Sequence, residues 1–274
     1  DTGGELRYVK SLDRTRKIAA NFISSLKQGD SVAILQYSDK PEIILEWTTN
    51  LELAKNSLKL ANFGRRSSLV KAVDLAVDFL KKSNLDNKHL LLITDGTDSS
   101  NNQQTLRNTF RKLLGVDVSV HIISFAQAEL LDLAERTKTI SDSAPPKALP
   151  PEVIAQLPPG VRDTASAPKV GPTINVDRKM LNVLRERQRQ LQNAQIDLQR
   201  LADDSNGELI DPVDVEQMLD KAAYIAKVVD STYVVTYIPK LSVAESKRER
   251  IVSVSSKRNN VVITGTRKLL PPGQ

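Results

Sequence analysis

An apolar run, His89-Leu90-Leu91-Leu92-Ile93-Thr94, ends abruptly in Asp95-Gly96-Thr97-Asp98. A short unbroken apolar run reads as a strand buried on both faces, as in a parallel sheet. Such a strand delivers Asp95 to the carboxyl edge of the sheet, where open α/β folds bind ligands. Two other oxygen-bearing stretches can converge on the same edge: Asp1-Thr2-Gly3-Gly4-Glu5 and Ser67-Ser68. Clustered carboxylates at a strand end can serve Mg²⁺-assisted phosphoryl chemistry. The plainer alternative is a buried strand followed by an Asp-Gly turn, with Asp95 capping the next helix.

Other chemistry is thinly represented. There is no cysteine, which removes disulfides, thiolate catalysis and thiolate metal sites. The two histidines, His89 and His121, fall at or inside strands with no second His or Cys close in sequence, so both read as structural. No Gly-rich phosphate loop and no serine elbow is present.

The elements that must position Asp95 follow from periodicity. Residues 11–26 form an amphipathic helix with Leu12, Ile18, Ala19, Phe22, Ile23 and Leu26 on one stripe, and Gly29 is placed to cap its end. Residues 31–38 and 43–47 read as two strands joined by a tight turn, hence an antiparallel pair at a sheet edge. Thr49-Asn50 can cap a helix over 51–60. Helices over 69–80 and 101–114 flank the strand at 89–94. A further buried strand spans 118–125, and a helix follows at 127–137. Strands alternating with helices imply an α/β fold: a doubly wound, mostly parallel sheet with helices on both faces.

The composition then changes. Eight of the thirteen prolines lie between Pro145 and Pro172, which predicts an extended excursion over about 138–175. A long helix over 176–202 carries a seam of Leu181, Leu184, Leu191, Leu198 and Leu201, available to pack on the parent domain or on a coiled-coil partner. A short strand at 208–210 precedes a helix starting at Asp211-Pro212 and reaching Val229. The tail from 231 to 274 reads as a small antiparallel β unit, with strands at 233–238, 250–255 and 261–266. The expected organisation is one domain over 1–230, interrupted by the proline-rich insertion, and a β extension over 231–274.

The ordered set Asp1-Thr2-Gly3-Gly4-Glu5, Arg65-Arg66-Ser67-Ser68-Leu69 and Ile93-Thr94-Asp95-Gly96 resembles the von Willebrand factor A domain. Leu201-Ala202-Asp203-Asp204-Ser205-Asn206-Gly207-Glu208-Leu209 is similar to the entry to that family's last strand, and Tyr233 to Pro239 with the hairpin after it resemble the C-terminal extension of bacterial VWFA-related proteins. The resemblance implies a divalent cation (Mg²⁺, or Mn²⁺ or Ca²⁺) on the sheet's carboxyl edge. The residues here that match its ligand positions are Asp1, Glu5, Ser67 and Asp95, with Ser68, Thr97, Asp98 and Ser99 beside them to meet a ligand. The first motif departs from the family pattern, since Gly3 and Glu5 stand where serines are usual. The resemblance also implies an apolar strand just before Asp1, at the centre of the sheet. A longer native chain is therefore expected, with five to seven apolar residues ending at Asp1 after a signal sequence; the segment 233–238 is a weaker candidate for that place.

Bulk properties narrow the function. The net charge of +6 over 274 residues is modest, and aromatics make up 4%, too few for base-stacking platforms, so nucleic acid is not an expected partner. No apolar run reaches the length of about 20 residues that spans a membrane. The expectation is a non-enzymatic module that binds a protein partner outside the cytoplasm, extracellular or periplasmic, through a degenerate cation site. One alternative is a metal-independent scaffold that assembles through the long helix, the proline-rich insertion or the C-terminal strands. Another is a metal-dependent phosphohydrolase, which clustered carboxylates at a strand end can also serve.

Overall fold

Strand β3 (His89–Thr94) pairs in parallel with β4 (Ser119–Ser124), His89 opposite Ser119 and Thr94 opposite Ser124. The short β5 (Leu209–Ile210) pairs in parallel with the other edge of β4. A second sheet is the antiparallel hairpin of β1 (Val32–Tyr37) and β2 (Pro41–Thr48). These come from a computed structural model of the chain, which describes residues 1–3, 10–85, 87–100, 102–138, 151–159, 176–231 and 254–258. Most of the expected C-terminal β unit, Glu5 and most of the proline-rich insertion lie outside the described residues.

The described residues fall into two compact units, one made of Asp1–Ala128 with the described residues from Leu191 on, the other of Glu129–Gln190. In the first unit, side chains alternate across β3 and β4, as the pleat requires. Leu92, Val120 and Ile122 share a cluster with Leu69, Val73, Phe110 and Leu198. Ile93 and Ile123 join Ile18, Met218, Ala222 and Ile225 on the opposite face. The first face is covered by α3 (Leu69–Lys82), α4 (Gln103–Leu114) and the last turns of α7 (Val176–Asp204), the second by α1 (Lys10–Ser25) and α8 (Val215–Ser231). Helices on both faces of a parallel sheet match the doubly wound fold read from the sequence. Each fully buried Leu or Ile in these clusters contributes about 1.5–3 kcal/mol.

The helix spacing is legible locally. In α3, Leu69, Ala72, Val73, Val77 and Leu80 form the buried stripe. Asn50 caps α2 (Leu51–Ser57) by accepting from the Leu53 amide, and a 3₁₀ turn at Leu58–Leu60 completes the segment expected as one helix. Asn102, not Asp95, caps α4, accepting from Thr105. Two expectations need correction. Helix α1 stops at Ser25, so Gly29, at φ +104°, is not its cap. It serves instead the following turn, which Asp30 closes on the Lys27 amide at 2.9 Å. Helix α8 starts at Val215 rather than at Pro212, because Asp214 takes the capping role and accepts from Gln217 at 2.8 Å.

In the second unit, α5 (Ala126–Lys138) contributes Leu133 and Glu129, α6 covers Pro151–Ala155, and α7 contributes its first turns. Leu133, Leu181 and Leu184 are buried, and Arg187 Nε donates to Glu129 Oε1 at 2.8 Å. All five seam leucines of the long helix are buried.

Candidate functional site

The carboxyl end of β3 is built around the hydroxyl of Thr94, which is fully buried. Its Oγ1 accepts from Tyr37 Oη at 2.7 Å and from the Gly96 amide at 2.9 Å, and donates to Asp1 Oδ2 at 3.0 Å. One hydroxyl thus ties β1, the turn after β3 and the first residue together. Asp1 Oδ1 accepts from the Gly3 amide at 3.1 Å.

Asp95 follows Thr94 and is also buried. Its Oδ1 accepts from both the amide and the hydroxyl of Thr97, each at 2.8 Å. Gly96 makes this tight turn possible with φ +77°, a conformation that glycine adopts without penalty. A side chain there would also meet Leu198 of α7, whose Cδ1 lies 2.6 Å from the position of a Cβ.

The loop before α3 is laced to the same turn. Ser67 Oγ donates to the Thr97 carbonyl at 2.8 Å, the Ser67 amide donates to Ser99 Oγ at 2.8 Å, and the Ser99 amide donates to the Ser67 carbonyl at 2.8 Å. Asp98 Oδ2 accepts from the Val70 amide at 2.9 Å, and its Oδ1 accepts from the Ser100 amide at 2.8 Å. Asp98 therefore satisfies the first turn of α3 from across the loop. Ser68, the residue in the capping position of α3, makes no side-chain cap bond, and its Oγ is buried with no hydrogen-bond partner among the described residues. The third segment reaches this place through its backbone: Gly3 bridges Gly64 in parallel, and the Gly64 amide donates to the Thr2 carbonyl at 3.2 Å.

The three segments singled out in the sequence are therefore neighbours on one edge. Asp1 and Asp95 flank Thr94, and Ser67 lies one hydrogen bond from Thr97, which itself bonds Asp95. Ser68, Thr97, Asp98 and Ser99 belong to the same pair of loops. The donor set is oxygen only, two carboxylates and several hydroxyls, which fits Mg²⁺, Mn²⁺ or Ca²⁺ in kind. Two features pull the other way. Among the described residues, no group of three or more His, Cys, Asp or Glu side chains is placed to hold a metal ion. Position 3 also has no room for a serine, because a Cβ there would sit 2.0 Å from the Arg66 carbonyl oxygen.

Some residues that shape the edge were not singled out in the sequence. Thr94 looks like any strand former, and only the folded register makes it a hub. Asp211, just after β5, accepts from the Gln127 amide at 3.1 Å and from Gln195, and burial raises its carboxyl above the ordinary range. Asp197 of α7 is buried and receives Arg107 Nε of α4 at 2.9 Å. The histidine reading needs partial correction: His89 Nδ1 and His121 Nε2 lie 3.1 Å apart, their rings stacked at 5.4 Å. Burial, and then the charge of His89, lowers His121 from the ordinary value near 6.5 to about 4. Their partnership is non-local, created by the parallel register of β3 and β4.

Comparison with known proteins agrees with this architecture. Residues 2–97 match the family model described as von Willebrand factor type A domain, a span that contains Ser67 and Asp95. Among solved structures, the chain is similar to a von Willebrand factor type A protein from Catenulispora acidiphila, with 12% identity and a TM-score of 0.52, covering 84% of this chain and 41% of that one. Weaker overlaps are seen with BatB from Bacteroides thetaiotaomicron, at 16% identity and a TM-score of 0.34 over 43% of this chain and 58% of that one. A manganese-loaded TRAP protein of Plasmodium vivax gives 14% identity and a TM-score of 0.40 over 45% of this chain and 54% of that one. Only the first overlap is extensive enough to bear on the fold. The chain spans about two fifths to three fifths of the length of these structures. No curated protein matches in sequence.

Proposed function

We propose that this chain is a von Willebrand A type binding module whose carboxyl edge captures a protein partner, with a divalent cation held by Asp1, Ser67 and Asp95. Glu5 joins this ligand set from outside the described residues. The observation that carries the reading is the triple tie between Ser67 and the Thr97–Ser99 turn, the same turn whose Thr97 amide and hydroxyl donate to Asp95. A cation bound there would supply a Lewis-acidic point for an acidic group of the partner. The chain's own residues do the positioning. Thr94 orients Asp1, Thr97 orients Asp95, and Asp98 stiffens the start of α3 so that Ser67 keeps its place. Ser68, Thr97, Asp98 and Ser99 then border the contact surface. Two carboxylates with Glu5 make the set more anionic than a serine-rich one, so a partner's carboxylate gains less here. The module is non-enzymatic and works outside the cytoplasm, extracellular or periplasmic, as the family resemblance implies. Among the described residues no helix is long and apolar enough to cross a membrane.

A second reading, a metal-independent scaffold, is favoured by the closed packing at Gly3 and by the hydrogen bonds that already engage Asp1 and Asp95. Calorimetric titration with Mg²⁺, Mn²⁺ and Ca²⁺ separates the two. Saturable heat that disappears in Asp95→Asn supports the cation site. No heat above buffer at millimolar cation leaves the scaffold. Turnover of a generic phosphoester, lost in Asp95→Ala, would instead favour the phosphohydrolase.

A further inference from the structure

The loop that leads into Ser67 is tied down at every other residue. The Asn62 amide donates to Gln36 Oε1 at 2.8 Å, the Gly64 amide to the Thr2 carbonyl at 3.2 Å, and the Arg66 amide to Asp39 Oδ1 at 2.7 Å. The residues between these anchors, Phe63 and Arg65, are exposed, and so is Arg66. Phe63 leaves 38% of its surface open, an unusual place for an aromatic ring in a chain with only five phenylalanines. A backbone fixed in this way presents its side chains before any partner arrives, which lowers the ordering cost of binding.

The same loop packs against the turn between β1 and β2. A Cβ on Gly64 would meet the Ser38 side chain and come within 3.1 Å of the Asp39 amide nitrogen. Lys40, next in that turn, is exposed. Among the described residues Lys40, Arg65 and Arg66 form no ion pair, so three cations stand together with their charge uncompensated. Arginine and aromatic side chains are the types that anchor protein interfaces. Carboxylates bound the patch on its inner side: Asp39 accepts the Arg66 amide, and Ser67 leads directly to the turn of Asp95 and Asp98. A long uniform polyanion, a nucleic acid or an anionic membrane, meets these carboxylates too and is disfavoured. A short acidic segment reaches the cations alone.

We propose that Lys40, Phe63, Arg65 and Arg66 form a selecting rim beside the carboxyl edge, and that the partner it takes is a protein presenting a short acidic segment with an apolar side chain next to it. The carboxylates of the segment pair with the two guanidinium groups, whose forked donors suit them, and the apolar side chain covers the Phe63 ring. This deepens the proposed function and rests on the carboxyl edge being the face that meets a partner, but not on a cation there. The oxygen set of the edge is itself anionic, so the attraction for an acidic partner comes from the rim.

The test is fluorescence anisotropy of a fluorescein-labelled, amidated octapeptide, a central Leu-Leu pair flanked by glutamates, titrated with the 274-residue chain at low salt in EDTA. A saturable rise is expected, with affinity reduced about tenfold or more in Arg65→Glu/Arg66→Glu and by less in Arg65→Gln/Arg66→Gln. Phe63→Ala is expected to weaken binding about threefold or more. Lys81→Glu/Lys82→Glu, which alters the net charge equally from the last turn of α3, is expected to bind as the unchanged chain does. The proposal is overturned by no binding of the peptide, or by equal losses in the 65/66 and 81/82 variants, which would reduce the effect to net charge. It is also overturned if a single-stranded DNA decamer, or vesicles of equal parts phosphatidylserine and phosphatidylcholine, bind more tightly than the peptide and lose affinity in Arg65→Glu/Arg66→Glu. Because EDTA is present throughout, the outcome is separate from the cation, whose calorimetric titration is read without peptide. Cation heat with no peptide binding overturns the rim alone, and peptide binding with no cation heat supports the rim while removing the cation.

Discussion

Thr94 Oγ1 donates to Asp1 Oδ2 at 3.0 Å while accepting from Tyr37 Oη and the Gly96 amide. A strand-end hydroxyl thus fixes the orientation of a carboxylate 93 residues away in sequence. Replacing it by an isosteric methyl keeps the packing and removes three hydrogen bonds. Thr94→Val is expected to lower stability by about 1–3 kcal/mol, because buried polar groups lose a partner. Chemical denaturation checks this, and an unchanged midpoint would mean that Asp1 is positioned by other contacts.

Gly96 and Gly29 share a positive φ but differ in surroundings. A Cβ at Gly96 meets Leu198 at 2.6 Å, whereas nothing lies within 4 Å of one at Gly29. Gly29→Ala is expected to cost only the backbone strain, about 1–2 kcal/mol. Gly96→Ala adds overpacking against α7 and is expected to cost about 2–4 kcal/mol in all. Urea unfolding of the two variants side by side measures the difference; equal losses would remove the packing argument.

The histidine pair gives a pH dependence with a definite sign. His121 is held at about 4 in the fold and returns to about 6.5 on unfolding, so between these values the unfolded chain binds the extra proton. Its contribution to stability is present above about pH 6.5 and is lost as pH falls towards 4. The full loss is about 3 kcal/mol. Tm measured from pH 7 to pH 4 is expected to fall less steeply in His121→Leu than in the unchanged chain, and parallel curves would place the dependence elsewhere.

What the sequence made legible was local or periodic. The run from His89 to Thr94 declared a buried strand, and Asp95 falls at its end as the run required. Asn50 declared its cap, and the stripe of α3 declared its buried face. The relationships that escaped were those that only parallel pairing creates. His89 and His121 are far apart in the chain and meet because Leu91 stands opposite His121. Thr94 has the same residue type in a hub as in an ordinary strand. Asp98 reads from the sequence as bordering a ligand, and in the fold its carboxylate also accepts from the amides of Val70 and Ser100, a role no local pattern announces. Asp214 outcompeted Pro212 for the start of α8, because a side-chain acceptor for the Gln217 amide is worth more there than a preset φ.

The proposed function rests on a cation held between Asp1, Ser67 and Asp95. Anomalous diffraction at the manganese edge, on crystals soaked in Mn²⁺, tests it most directly. The account predicts a single peak bounded by the side-chain oxygens of these three residues, absent from Asp95→Asn crystals. A map with no peak there, or with the same peak in both, would contradict it.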